Sequence, residues 1–359
     1  MWDDAQPTLV KLSRSAAVRE GDSWRFVCAS LWSGPETPPL LSVSADETWV
    51  AGTLGVAKIL RNGTVEGPFP NTVSSAEVVT FASVGQTLFV QAGFSAEKSR
   101  ILRIHPDGTQ TEIYRPGHRI GGVAGRGANL VVVNLDANDL LLRELDVDGA
   151  EVVAPRTVAR DVEGSASVRV AGQDLFIRLH NSTFQRLHRV TEDDSFPLII
   201  QTASDEAIRG PVEGLDSRYL IVEGDLARLN SDDTLERINT EVRHTCLGYQ
   251  SGLYACALPN IVAVSADGQH GERLFELANV VAPDFDALTP EQGAGCKIDW
   301  LDFAADTGLD VTPDAGQPTG AEEAPPSPEG CSAGPTSTGR GAALLMFALL
   351  AIACRRTLS

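Results

Sequence analysis

The chain has 359 residues, 43% of them hydrophobic and 21% charged, with 48 acidic against 29 basic residues and a net charge of −19. That is ample apolar material for a sizeable core. So acidic a chain repels phosphate backbones and anionic lipid headgroups, which argues against nucleic acid as a partner and against peripheral membrane binding. Residues 1–23, which begin MWDDAQPTLVKLSRS, have no basic n-region, apolar h-region or A-x-A site and do not read as a secretory signal. Because the cysteines and the C-terminal tail both point to export, the expectation is a true start upstream of this one.

Residues 24–305 repeat one pattern: an apolar β-rich run, a few variable residues, a second run, then an acidic or Asn-Gly turn. Six segments follow it, at 48–66, 88–112, 130–152, 175–196, 219–238 and 253–275. The turns are Asn62-Gly63, Asp107-Gly108, Asp148-Gly149, Asp193-Asp194, Asp232-Asp233 and Asp267-Gly268, spaced by 35 to 45 residues. Asn-Gly and Asp-Gly accept the positive φ that tight hairpin turns demand. No segment before the tail carries a sustained 3.6-residue apolar period with caps, so few helices are expected. Such a repeat predicts an all-β protein, a six-bladed β-propeller with about four strands per blade, because one unit cannot bury both faces of its sheet and radial stacking does. The rivals are a pair of β-sandwiches and an irregular seven-bladed ring. The segments resemble six-bladed propellers of the NHL/TolB-like kind, whose blades run strand, strand, D-G turn, strand.

The runs WRFVCASLW (24–32) and CKIDWLDF (296–303) read as strands that close the ring from its two ends. Four cysteines lie in the body: Cys28, Cys246, Cys256 and Cys296. They allow three connectivities, or four free thiols. A hairpin reading of TCLGYQSGLYAC favours Cys246 with Cys256, which leaves Cys28 with Cys296 at the seam. No C-x-x-C pair is present, so no zinc knuckle or redox motif is indicated.

Motifs for chemistry are absent from the sequence. The six histidines (His105, His118, His180, His188, His244 and His270) form no H-x-H or H-E-x-x-H pair and read as loop or surface residues. There is no G-x-S-x-G elbow or P-loop, and GGVAGRG (121–127) reads as a strand connection. Asp136, Asn138, Asp139, Asp146 and Asp148 miss the EF-hand spacing and read as turn carboxylates. No catalytic, cofactor-binding or metal-ligating residue is therefore expected.

From Asp306 the composition shifts to Pro, Gly, Ala and acids, and 306–330 is expected to be a disordered linker. Residues 331–359 hold Cys331, an apolar run at 341–354 expected to form a short helix of about 21 Å, and then Arg355 and Arg356. Basic residues keep that end cytoplasmic. The order of parts over 330–356 resembles the MYXO-CTERM sorting domain of myxobacterial exported proteins. The resemblance implies that Cys331 is the signature position and that a membrane-embedded sorting enzyme recognises and removes the segment beyond it; a plain membrane anchor is the alternative. The expectation is thus an exported protein of the cell surface or outer membrane that touches the membrane only through this segment. Its body would be a non-catalytic binding or scaffold module for an unknown surface ligand. The alternative is a propeller-type hydrolase or lactonase with a metal in its axial channel.

Overall fold

A computed structural model describes residues 2–309 apart from 4–5, 8, 13–14, 33–39, 43–46, 70–71, 75, 192–194, 204–207, 214–216, 250–252, 258–259 and 266. Apart from a two-stranded hairpin at Trp2–Asp3 and Gln6–Pro7, the strands form seven four-stranded sheets. Six are continuous in sequence and are numbered here as blades one to six: 40–66, 78–114, 119–159, 165–203, 208–239 and 247–275. The seventh is shared between the two ends. Leu9–Lys11, Ala16–Glu20 and Ser23–Val27 supply its first three strands, and Val280–Val281 supplies the fourth, parallel to the third with Val280 opposite Trp24.

The expected count of six blades is therefore corrected to seven, and the turns explain the error. Every turn described falls between the third and fourth strands of a blade. In each, the amide of Gly63, Gly108, Gly149, Asp233 or Gly268 donates to the carbonyl three residues back, at 2.8–3.1 Å. These residues have φ of 81°, 82°, 90°, 65° and 83°, the left-handed conformation that the residue types announced. Asp193-Asp194 lies outside the described residues, in the chain between the third and fourth strands of blade four. The closing blade has no such turn, because its fourth strand arrives from the other end of the chain.

The second strand of each blade is a near-continuous apolar run, since both its faces are covered by neighbouring blades. In blade three, Leu130, Val131, Val132 and Val133 are all fully buried. The hydrophobic core is accordingly divided into seven clusters, one between each pair of neighbouring blades around the ring. Close approach near the axis restricts side-chain size. A Cβ on Gly121 would lie 2.9 Å from the Ala166 Cβ, and one on Gly122 would lie 2.7 Å from the Val168 nitrogen. The glycine cluster expected to be a connection is in fact the innermost strand of blade three, Arg119–Arg126.

The seam departs from expectation in two further ways. Residues 296–303 are helical, within a helix over Pro290–Thr307 that also takes in the first residues assigned to the linker. Thr289 and Gln292 form a reciprocal capping box, Pro290 occupies the first turn, and Gly308 ends the helix in the left-handed conformation. Cys296, Trp300 and Ala304, four residues apart, form its buried face. That face packs on Phe26 of the closing blade, with the Phe26 and Trp300 rings 5.4 Å apart. Residues 1–23 also contribute two strands of the closing blade rather than a separate segment. Among the described residues no helix is long and apolar enough to cross a membrane; the apolar run 341–354 lies outside them.

Candidate functional site

Seven strands line the axis: Leu9–Lys11, Leu40–Ser42, Val78–Val84, Arg119–Arg126, Ser165–Ala171, Ile208–Glu213 and Leu247–Tyr249. Each is the first strand of its sheet. Their ionisable side chains are Lys11, Arg119, Arg126, Arg169, Arg209 and Glu213. In a chain with far more acids than bases, five of these six charges are cationic, Arg126 being paired with Glu144.

The strands set the depth of each charge. In blade four, His180 is opposite Ser165, Arg178 opposite Ser167, and Phe176 opposite Arg169. His180 and Arg178 thus follow one another inward from the channel mouth, and Arg169 lies deeper by four residues than Ser165, about 13 Å along the strand. Arg119 opens the innermost strand of blade three, and its charge acts on His180. Arg178 is held in place: its Nη1 donates to the Ile208 carbonyl at 2.9 Å, while the Ile208 amide donates to Gln185 Oε1 at 3.2 Å. Arg209 follows directly on the next innermost strand.

Electrostatically the cluster is uncomfortable. Burial, and then the Arg209 charge, lower the pKa of the Arg169 guanidinium; burial, Arg169 and Arg209 lower that of Arg178. Arg169 and Arg209 are nonetheless exposed to solvent. A narrow aqueous channel reconciles the two facts, since water reaches the head groups while protein displaces most of the surrounding high-dielectric solvent. Burial, then Arg178 and Arg119, push the His180 imidazole below its ordinary value. Its Nδ1 is buried without a hydrogen-bond partner.

The cysteine pairing matches expectation. Cys28 is bonded to Cys296 and Cys246 to Cys256, with Cα separations of 5.1 and 4.9 Å. Cys331, Arg355 and Arg356 lie outside the described residues. The acidic group Asp136, Asn138, Asp139, Asp146 and Asp148 is not brought together. Asp136 and Asp139 end one turn of blade three, and Asp146 lies beyond the far end of the strand Asp139–Leu145. Asp146 instead accepts from the amides of Asp148 and Ala150, both at 2.9 Å, and Asp148 pairs with Arg103 at 2.6 Å. Not every histidine is a surface residue: His244 is 2% exposed, with its Nε2 2.9 Å from that of His270.

Two clefts of about 290 and 280 Å³ lie away from the axis. One is at the closing seam beside Arg19, Asp22, Glu272 and Arg273; the other lies around Glu47, Trp49, Arg103 and His105. Both mix charges of opposite sign, and the first holds the ion pair of Arg273 with Glu276. Among the described residues no group of three or more His, Cys, Asp and Glu side chains could hold a metal.

The axial cations went unnamed in the sequence reading. Arg169 within SASVRVA and Arg209 within IRGPVE look like solvent-facing residues of alternating strands. Only the ring places them on the axis.

No protein-family profile and no curated protein matches the chain. Among solved structures, a streptogramin B lyase is similar to it with a TM-score of 0.50 and 13% identity, over 68% of this chain and 86% of that one. A catalytically inactive virginiamycin B lyase from Staphylococcus aureus, solved with quinupristin, has a TM-score of 0.50 and 14% identity, over 76% and 89%. At such identities the likeness is one of fold, and what it establishes for this chain is the β-propeller.

Proposed function

We propose that the protein is exported and held at the cell surface by its C-terminal segment, where the propeller serves as a non-catalytic binding body. The observation that carries this reading is that all four cysteines of the body are paired, which suits an oxidising compartment outside the cytoplasm. The tail supports it independently. The apolar run 341–354 is short for a permanent span, and Arg355 and Arg356 would hold its end on the cytoplasmic side, presenting Cys331 to a processing enzyme near the outer face.

The alternative, a hydrolase with an axial metal, finds little support in the residues described. A divalent cation wants carboxylate, carbonyl or imidazole donors. The innermost strands offer guanidinium groups, Lys11 and a single carboxylate, Glu213. The residues do not fit that metal, and no catalytic step is assigned to the channel.

The test is the C-terminal peptide of protein recovered from the surface of its own host. The mature chain should end near Cys331, and Cys331→Ser should leave it unprocessed and mislocalised while the propeller still folds. Surface material that retains LLMFALLAIAC would replace processing with a plain membrane anchor. Stoichiometric divalent metal in the purified protein would favour the hydrolase.

A further inference from the structure

We infer that the axial channel binds a small ligand carrying two or more oxyanion groups, gripped by Arg169, Arg178 and Arg209, with Arg119 and His180 at the mouth. The inference deepens the binding reading above and rests on it, since it makes the channel the binding site.

Charge segregation is the first argument. Several other arginines are matched to carboxylates: Arg126 at the far end of its innermost strand with Glu144, Arg143 with Glu151, Arg189 with Asp174 and Asp233, Arg237 with Glu223 and Asp225. Among the described residues, no acidic side chain pairs with Arg119, Arg169 or Arg209. A chain with 48 acids had abundant means to neutralise them. Like charges held together at reduced dielectric repel; an incoming anion would convert that repulsion into attraction, so the free-energy gain falls on binding and not on folding.

Geometry supplies the rest. Arg178 is tethered through one nitrogen to the Ile208 carbonyl, which fixes the guanidinium plane before any ligand arrives. A planar, pre-oriented fork is suited to two-point recognition of carboxylate or phosphate. Arg169 and Arg209 sit on adjacent innermost strands with their side chains exposed, so a solute can reach them. Arg178 lies opposite Ser167, two residues from Arg169 along the innermost strand, about 7 Å. That spacing exceeds a single small anion and suits a compact ligand with two or three anionic groups. Phosphoryl and carboxyl groups share this chemistry, and the experiment separates them.

Calorimetric titration of the full chain with pyrophosphate and with citrate, in dilute chloride buffer, should give saturable one-site binding of at least one. Binding of pyrophosphate alone assigns a phosphoryl ligand, and of citrate alone a polycarboxylate; either supports the site. Arg169→Gln and Arg209→Gln should each weaken binding by about tenfold, the loss of one charged hydrogen-bonding group, and the double variant should abolish it. Without anion the double variant should melt no lower than the parent, because its removal relieves repulsion. If the double variant does not fold, Arg209→Gln alone decides. Binding that survives Arg209→Gln at parental affinity, or the absence of binding by both anions, would overturn the inference. The titration uses purified protein, so its failure is independent of whether the tail is processed at the surface.

Discussion

Six blades of this ring and the seventh solve one problem by different means. Blades one to six are each built from a continuous stretch of chain, and in the five whose outer turn is described the hairpin is fixed by a local left-handed turn with its own hydrogen bond. The closing blade has no such turn. Its fourth strand is the two-residue segment Val280–Val281, and what holds that strand in place is tertiary. The Trp24 ring meets Phe275 edge-on at 5.1 Å, the Ser30 amide donates to Asp299 at 2.7 Å, and Cys28 is bonded to Cys296 on the helix. A blade made of neighbours in sequence can rely on turn chemistry. A blade made of the two chain ends must close a loop across the whole ring, and there a covalent link is worth most.

The sharpest test of that contrast compares the two disulfides. Cys28–Cys296 spans 268 residues and Cys246–Cys256 only 10. In the chain-entropy description, opening the first should cost about 5.6 kcal/mol and opening the second about 2.7 kcal/mol. Denaturant unfolding of Cys28→Ser/Cys296→Ser and Cys246→Ser/Cys256→Ser checks the order. Equal losses would mean that the seam bond gains nothing from its loop length.

Local devices should cost less. Gly63→Ala forces a side chain into the left-handed turn of blade one, where the new Cβ would meet only side-chain carbons of Val18 and Val27, the nearer at 3.1 Å. A loss of about 1–2 kcal/mol is expected. Thr289→Ala removes the helix cap at the seam and should cost about 1 kcal/mol. Amide exchange should locate the two effects differently, at the outer hairpin of blade one for the first and at the helix and closing blade for the second.

A gentler probe is acidity. Burial is the first cause lowering the pKa of His180, His188 and His244. Arg178 and Arg119 add to it at His180. At His188, Arg186 adds to it against the Phe196 carbonyl. At His244, His270 adds to it against the Gly224 backbone and Asp225. The fold therefore favours the neutral rings, and the unfolded chain takes up protons first. Stability should be complete above the ordinary histidine pKa, about 6.5, and should fall as pH drops from there toward the lowered native values. Melting temperature against pH measures it, and His244→Gln should flatten the slope. The turn carboxylates Asp107, Asp232 and Asp267 act in a separate, lower window. Hydrogen bonds from Thr109, Thr234 and Ser265 hold their pKa values down. Their contribution is present above the ordinary carboxylate pKa and lost only as pH falls through those lowered values.

Local conformational chemistry was legible in the chain itself. A positive φ is tolerated by Gly, Asn and Asp and resisted by nearly everything else, so Asn62-Gly63, Asp107-Gly108, Asp148-Gly149 and Asp267-Gly268 marked their turns without any knowledge of the fold. Buried runs such as Leu130–Val133 marked second strands for the same reason: few other places bury both faces of a strand. The capping box at Thr289 was also present in the sequence. One buried stripe of Cys296, Trp300 and Ala304 is nevertheless too sparse to announce a helix by periodicity.

Two things belonged to the tertiary structure alone. Closure by the run at 24–32 was expected, but its partner, Val280–Val281 in place of 296–303, is set by contacts between chain ends that no local signal encodes. The cationic axis is the other. Arg169 and Arg209 are 40 positions apart and unremarkable in their own strands, and they become neighbours only when separate blades set their first strands side by side around one axis. Sequence determines which backbone conformation each residue accepts; the meeting of distant charges depends on how many blades close the ring.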